Sequence, residues 1–245
     1  MTNIPPAQKT ETALLSGEAR SRAVQDIFTR IAPRYDLMNR VMTLGMDRAW
    51  RRFVVRMAAL PAGGRLLDIA TGTGDIAFEA LAQTPDAFVV GADFVPEIMA
   101  VGKRRPQGGQ VCWLTADALN LPFPDAYFDA VTHGFLVRNV IDIPRAFAEQ
   151  YRVLRSGGRM VCLDTTPPPR NALRPFLTFY LTRIVPLVGM VITGHRDAYT
   201  YLPNSTLGFK TPDELAGLMR ESGFIDVGYK QFMMNTIAVH WGTKG

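Results

Sequence analysis

Apolar positions near the start of the chain recur at a spacing of three to four. In "SRAVQDIFTRIAP", Val24, Ile27, Phe28 and Ile31 share one face, which predicts an amphipathic helix that Pro33 ends. A second helix is expected over 47–60, with Asp47 near its start and Pro61 as its stop. From Arg65 the period shortens. "RLLDIA", "AFVVGAD", "QVCWLTAD", "FDAVTHGF" and "GRMVCLDT" read as strands, and "DIAFEALAQ", "PEIMAVGKR" and "IPRAFAEQYRVL" as helices between them. This alternation predicts βαβ units: an α/β fold with a doubly wound, mostly parallel sheet and helices on both faces. "TPDELAGLMRESG" is a capped helix stopping at Gly223, and "FIDVGYKQF" and "TIAVHWG" are two last strands that close the sheet antiparallel. Residues 1–20 are expected to form a loose, proline-containing tail. Residues 21–245 form one domain, with N-terminal helices over 21–62 and an insert over 167–210.

The insert holds the most apolar stretch, "PFLTFYLTRIVPLVGMVIT" over 175–193. Arg183 falls in its middle and Pro186 would break a helix there, so it is not a membrane span. It reads as core, as an interface in a homo-oligomer, or as a surface for an oily partner. With 47% apolar and 20% charged residues, the 245-residue composition is that of an ordinary globular protein. The formal charge of +5 is densest at Arg48, Arg51, Arg52 and Arg56 and again at Lys103, Arg104 and Arg105. Either these arginines meet an anionic partner, or they are solvated helix faces. Cys112 and Cys162 each sit in an apolar run, the pattern of buried thiols in a reduced cytoplasm. No CxxC or HxxxH spacing supports a metal. The first residues lack the basic start and apolar core of a signal peptide, so a cytoplasmic location is expected.

The chemistry concentrates in "LLDIATGTGD", where the first strand runs into Gly72 and Gly74. In an open α/β sheet ligands bind beyond the carboxyl ends of the strands, and glycine lets the backbone come close to them. No Gly-Lys-Ser/Thr follows, which excludes a phosphate-binding P-loop. Ala77 falls where a nicotinamide fingerprint places its third small residue, so the glycines alone leave a dehydrogenase open. The carboxylates tilt the choice. Asp68 precedes the loop, Asp93 ends the second strand where it can accept from two ribose hydroxyls, and Asp117 ends the third beside an expected adenine. An acidic rim repels a dinucleotide's phosphates but suits S-adenosylmethionine, which carries ribose, adenine, an ammonium and a sulfonium. The absence of a Tyr-x-x-x-Lys pair on a helix also disfavours an oxidoreductase.

These residues carry a resemblance to the class I methyltransferases, whose fold is Rossmann-like, and specifically to the menaquinone and ubiquinone biosynthesis C-methyltransferases. It spans "YDLMNRVMTLGMDRAWRR", "LLDIATGTGD", "ADALNLPFPDAYFDAVTHGFLVRNV" and "YRVLRSGGRM", nearly the whole chain. The resemblance implies a donor site at Asp68, Gly72, Thr73, Gly74, Asp93, Phe94, Asp117, Ala118 and Gly134. It further implies an acceptor pocket walled by Tyr35, Arg138, Asn139, Tyr199 and Tyr201. The chain departs from the family pattern at Gly134, Leu136 and Asn204, mostly on the acceptor side. The implied reaction moves a methyl from S-adenosylmethionine to a ring carbon of a reduced, prenylated quinol. A methyltransferase acting on another apolar small molecule is the alternative. A nucleic-acid substrate is disfavoured, since no Asn/Asp-Pro-Pro-Tyr/Phe motif follows the fourth strand.

Carbon methylation needs the acceptor as phenolate, and holding a phenol ionised at pH 7 costs about 4 kcal/mol without help. Arg138 is the candidate cation beside that oxygen, His133 the candidate base, and Tyr35 a candidate partner for a quinol oxygen. His195 and His240 belong to no motif. A prenyl tail would enter from a membrane, with the insert and the N-terminal helices as its apolar route and the arginine cluster facing anionic headgroups.

Overall fold

The computed structural model describes residues 26, 29, 35–193, 203 and 205–245. Seven strands, β1 (Arg65–Ile69), β2 (Phe88–Asp93), β3 (Val111–Thr115), β4 (Phe128–Gly134), β5 (Leu154–Thr165), β6 (Phe224–Phe232) and β7 (Ile237–Lys244), form one sheet. Their order is β3-β2-β1-β4-β5-β7-β6. β1 to β5 pair in parallel, while β7 runs antiparallel to both β5 and β6. The chain works outward from β1 to β2 and β3, then returns to lay β4 on the other side. That reversal opens a crevice beyond the carboxyl ends of β1 and β4, where such sheets bind ligands.

Side chains of a strand alternate between faces, and β1 shows both cores. Leu66 packs among Trp50 and Val54 of α2 (Asp47–Ala58) and Ile76, Ala77 and Ala80 of α3 (Asp75–Gln83). Leu67 and Ile69 pack the other way, with Phe147 and Val153 of α5 (Ile143–Val153) and Leu215 and Met219 of α8 (Pro212–Glu221). On β4 the same rule sends Ala130 toward α2 and α3 and Val131 toward α5. The other α-helices among the described residues include α1 (Tyr35–Met42), α4 (Pro96–Lys103), α6 (Arg174–Phe179) and α7 (Val185–Thr193).

Strand and helix positions follow the expected pattern closely, with three differences. The expected helix ending at Pro33 lies outside the described residues, apart from Asp26 and Thr29, which are helical, and α1 is a further helix. Pro186 does not break the insert. A π turn over Tyr180–Ile184 joins α6 to α7, and Val185 N donates to the Tyr180 carbonyl five residues back. Proline has no N–H for the carbonyl four residues earlier and its ring crowds that group, so the widened turn just before it absorbs the mismatch. Cys112 is exposed, because β3 is an edge strand; only Cys162 is the expected buried thiol.

α8 begins with a reciprocal cap. Thr211 Oγ1 accepts from Glu214 N at 3.4 Å, and Glu214 Oε2 accepts from Thr211 N at 2.7 Å. Thr211→Ala is expected to lower stability by about 1 kcal/mol, read as a shift in the urea midpoint with an unchanged slope.

Candidate active site

The loop between β1 and α3 is bent by its backbone. Ala70, Gly72 and Gly74 have φ of 52°, 57° and 85°, in the left-handed region that an ordinary side chain resists. At Gly74 a Cβ would lie 2.6 Å from the Trp113 ring, so glycine is required there for space as well as for φ. Phe135, just after β4, has φ of 60°. Two non-glycine residues with left-handed φ, Ala70 and Phe135, thus flank one cleft. Gly74→Ala is expected to weaken folding by about 1–3 kcal/mol, measured by thermal or urea unfolding.

The carboxylates hold this loop. Asp68 accepts from Thr71 Oγ1 at 2.7 Å and from Thr132 Oγ1 at 2.9 Å. Burial pushes its pKa up to about 7, against the two hydroxyl bonds. Asp93 accepts from Gly72 N at 2.8 Å and Val95 N at 2.9 Å, tying the end of β2 to the glycine loop. Its pKa is also raised by burial, with the backbone donors opposing. A carboxylate oxygen carries more than one lone pair, so Asp93 can still accept from a ligand.

Above the loop lies a cleft lined by Arg51, Asp68, Gly72, Thr73, Gly134 and Phe135, with Ile76 and Leu163 as apolar wall. Of the residues assigned from the sequence to the donor, Asp68, Gly72, Thr73 and Gly134 therefore line one cavity, while Gly74 belongs to the same loop and Asp93 holds that loop through Gly72 N. Phe94 follows β2 and is exposed. Asp117 lies past β3, exposed, and accepts from Leu119 N at 2.9 Å to close a turn. Ala118 is packed into the core beside it.

The acceptor-side residues fall differently. Arg138 is buried, its Nη1 paired with Asp164 Oδ1 and its guanidinium 4.9 Å from the centre of the Phe135 ring. It is therefore a neutralised charge behind the cleft wall, not an isolated cation and not a surface ion pair. Asn139 Nδ2 donates to the Phe135 carbonyl at 2.9 Å, fixing the same strained turn. Tyr35 opens α1, and its side chain, like Tyr199 and Tyr201, lies outside the described residues.

The structure contradicts His133 as base. Strand alternation turns it to the face opposite the cleft with Val131, fully buried beside Gln150 of α5. Burial there lowers its pKa to about 4, so it stays neutral at pH 7.

Sequence reasoning missed two groups. Arg51, read with the outward arginine cluster, turns inward: its Nη1 lies 2.5 Å from Asp47 Oδ2 and 2.8 Å from Asp75 Oδ2. Asp75 also takes Arg105 at 2.5 Å. The four-residue spacing of Asp47 and Arg51 on a helix was the available signal. Asp164 near the end of β5 was the other omission, and the strand-end logic that selected Asp68 and Asp93 applies to it too.

What could such a cleft hold? A pyrophosphate would meet the carboxylates of Asp68 and Asp93 at the glycine loop, and the start of α3, where a phosphate would sit, is taken by Asp75 and its arginine partners. A cationic nucleoside fits the acidic floor better. Comparison with known proteins agrees: residues 16–244 match the model of the ubiE/COQ5 methyltransferase family. The chain belongs to that family.

Among similar family proteins is the ubiquinone/menaquinone biosynthesis C-methyltransferase UbiE of Desulfotalea psychrophila, 49% identical over 92% of each chain. The demethylmenaquinone methyltransferase of Roseiflexus castenholzii is 44% identical, covering 99% of this chain and 98% of that one. Solved structures share the fold at lower identity. A possible histamine N-methyltransferase from Thermotoga maritima superposes with a TM-score of 0.66 at 21% identity, over 91% and 100% of the chains. The cyclase SpnF superposes with a TM-score of 0.67 at 16% identity over 91% and 96%. One fold thus hosts different reactions, and the family match, not the fold, selects the chemistry.

Proposed function

We propose that this protein methylates a ring carbon of a reduced, prenylated quinone precursor, demethylmenaquinol or a ubiquinone precursor, with S-adenosylmethionine as donor. The observation that carries the reading is the family match over nearly the whole chain, with the acidic glycine-loop cleft where that family's donor belongs. Quinone profiling of cells lacking the protein tests it: a demethylated quinone should accumulate, and an unchanged profile would refute the assignment.

The donor supplies an electrophilic methyl on a sulfonium. Asp93 would hold its ribose, Asp68 its ammonium, and Phe94, Asp117 and Ala118 its adenine. Gly134 leaves the cleft open toward the acceptor. Asp164 would hold the Arg138 guanidinium behind Phe135, so that its N–H dipoles, and not a net charge, favour phenolate at the acceptor's oxygen. Tyr35, Asn139, Tyr199 and Tyr201 would wall the acceptor's ring.

Asp68 gives the donor site a pH dependence. With its pKa near 7, the free protein holds Asp68 protonated below that pH, and an ammonium partner favours the ionised form. Binding at pH 6 therefore releases a proton, and affinity rises with pH through 7. Above about 8 the donor's amine loses its charge and affinity falls again. Titration calorimetry from pH 5.5 to 9 should give a narrow maximum, and Asp68→Asn should flatten its acid limb. An affinity independent of pH would remove Asp68 from the site.

The prenyl tail calls for contact with a membrane. No helix of the described residues is long and apolar enough to cross one. α1 packs on the insert, where Tyr180 Oη donates to the Met42 carbonyl at 3.0 Å. Around that junction Leu37, Leu44, Phe176, Phe179, Leu187 and Val191 are exposed. Arg48, Arg52 and Arg56 of α2 are exposed as well, each able to contribute about 1 kcal/mol near anionic headgroups. The protein would thus work as a cytoplasmic, peripheral membrane enzyme. Vesicles containing an anionic phospholipid should carry it in flotation at low salt and release it at high salt. No binding at low salt would remove the membrane from the reading.

A further inference from the structure

Arg51 is the least expected member of the cleft. It comes from α2, before the sheet begins, and reaches across to the start of α3. Its side chain is only 12% exposed, and it lines the same cavity as Asp68 and the glycine loop. Among the described residues both its ion pairs run through Nη1, to Asp47 and to Asp75, which leaves Nη2 and Nε as donors toward the cleft. Its two partners do not depend on it alone: Asp47 also accepts from Thr43 Oγ1 at 3.0 Å, and Asp75 from Arg105. Asp47, Asp75, Arg51 and Arg105 sum to no net charge, so an added anion meets no excess of negative charge at this end of the cleft.

We propose that Arg51 is a donor-binding residue that reads the α-carboxylate of S-adenosylmethionine. The inference rests on the donor reading above and extends it to a group that none of the acidic residues can bind. The methionine end of the donor is a zwitterion, with ammonium and carboxylate on one carbon. The cleft supplies the matching pair on two of its walls, a carboxylate at Asp68 and a guanidinium at Arg51. A planar guanidinium edge suits a carboxylate, and such a contact in a partly buried site is worth on the order of 10- to 100-fold in affinity. Asp47 and Asp75 then act as positioning residues. They hold the side chain extended along the wall, so that little rotamer freedom is lost when the ligand arrives.

The test compares two ligands by titration calorimetry: S-adenosylmethionine and its decarboxylated analogue, which keeps adenosine, sulfonium and amine but has hydrogen in place of the carboxylate. The native protein should prefer the intact donor by about 10- to 100-fold. Arg51→Ala should lose that preference, weakening S-adenosylmethionine while leaving the analogue within about threefold. Arg51→Lys should keep part of it. Equal affinity of the native protein for both ligands would overturn the proposal. So would an Arg51→Ala variant that weakens both alike, which would mark a purely structural latch between α2 and α3. Native protein that binds neither ligand would overturn the donor reading itself, and the inference with it. Should Arg51→Ala fail to fold in a thermal melt, the native ratio and the lysine variant decide the matter without it.

Discussion

Asp93→Ala is expected to raise the dissociation constant for S-adenosylmethionine by about 100-fold, since hydrogen bonds to a charged acceptor are each worth about 1.5–3 kcal/mol. The proposed ribose bonds would go, and the protein would lose the acceptor for Gly72 N and Val95 N. The second loss lets the glycine loop drift, so part of the effect is on shape. Asp93→Asn separates the parts: one oxygen remains to hold a backbone donor, and affinity should fall less. Calorimetry on variants that melt cooperatively checks this. Unchanged affinity in a folded Asp93→Ala protein would end the assignment of the cleft to the donor.

Arg138→Ala is expected to lower kcat by on the order of 100-fold with a reduced quinol substrate, while donor affinity stays within a few-fold. The structure adds a cost in stability, because Asp164 would stay buried without its cation. Removing one partner of such a pair costs about 3–5 kcal/mol. Asp164 keeps backbone donors from Arg138 N at 3.2 Å and Thr165 N at 2.7 Å, which places the loss at the lower end. The double variant Arg138→Ala with Asp164→Asn should recover much of the stability but none of the turnover. Turnover recovering together with stability would show that the pair serves folding alone. Near-normal kcat in the single variant, or collapse of donor binding alone, would move Arg138 out of the acceptor half of the site.

The fold was legible because its signals are local. Strand alternation, glycines after β1 and prolines at helix ends each constrain a few neighbouring residues, and the parallel order follows from the alternation of elements. The bent glycine loop was legible for the same reason, since Asp68, Gly72 and Gly74 sit within seven residues of sequence. What failed depended on distance. The inward turn of Arg51 needs Asp75, which belongs to another helix. The pairing of Arg138 needs β5 to lie beside β4. Whether Cys112 is covered depends on which strand ends the sheet. His133 is the instructive error: Gly134 was already assigned to the donor, and adjacent residues of a strand cannot face the same way. Alternation alone would have excluded it.

The position of β7 has a consequence for how the protein is made. It follows every other strand in the chain, yet it lies inside the sheet, bonded to β5 on one edge and β6 on the other. During synthesis β1 to β5 can emerge and pair in turn, but β5 keeps an open edge until residues beyond Ile237 leave the ribosome. An unpaired edge of this kind is a template for wrong partners. The nascent chain therefore passes through a stage in which the strands around the cleft are assembled and the sheet is still unsealed. A ribosome stalled before Ile237 would present a half-finished sheet to chaperones.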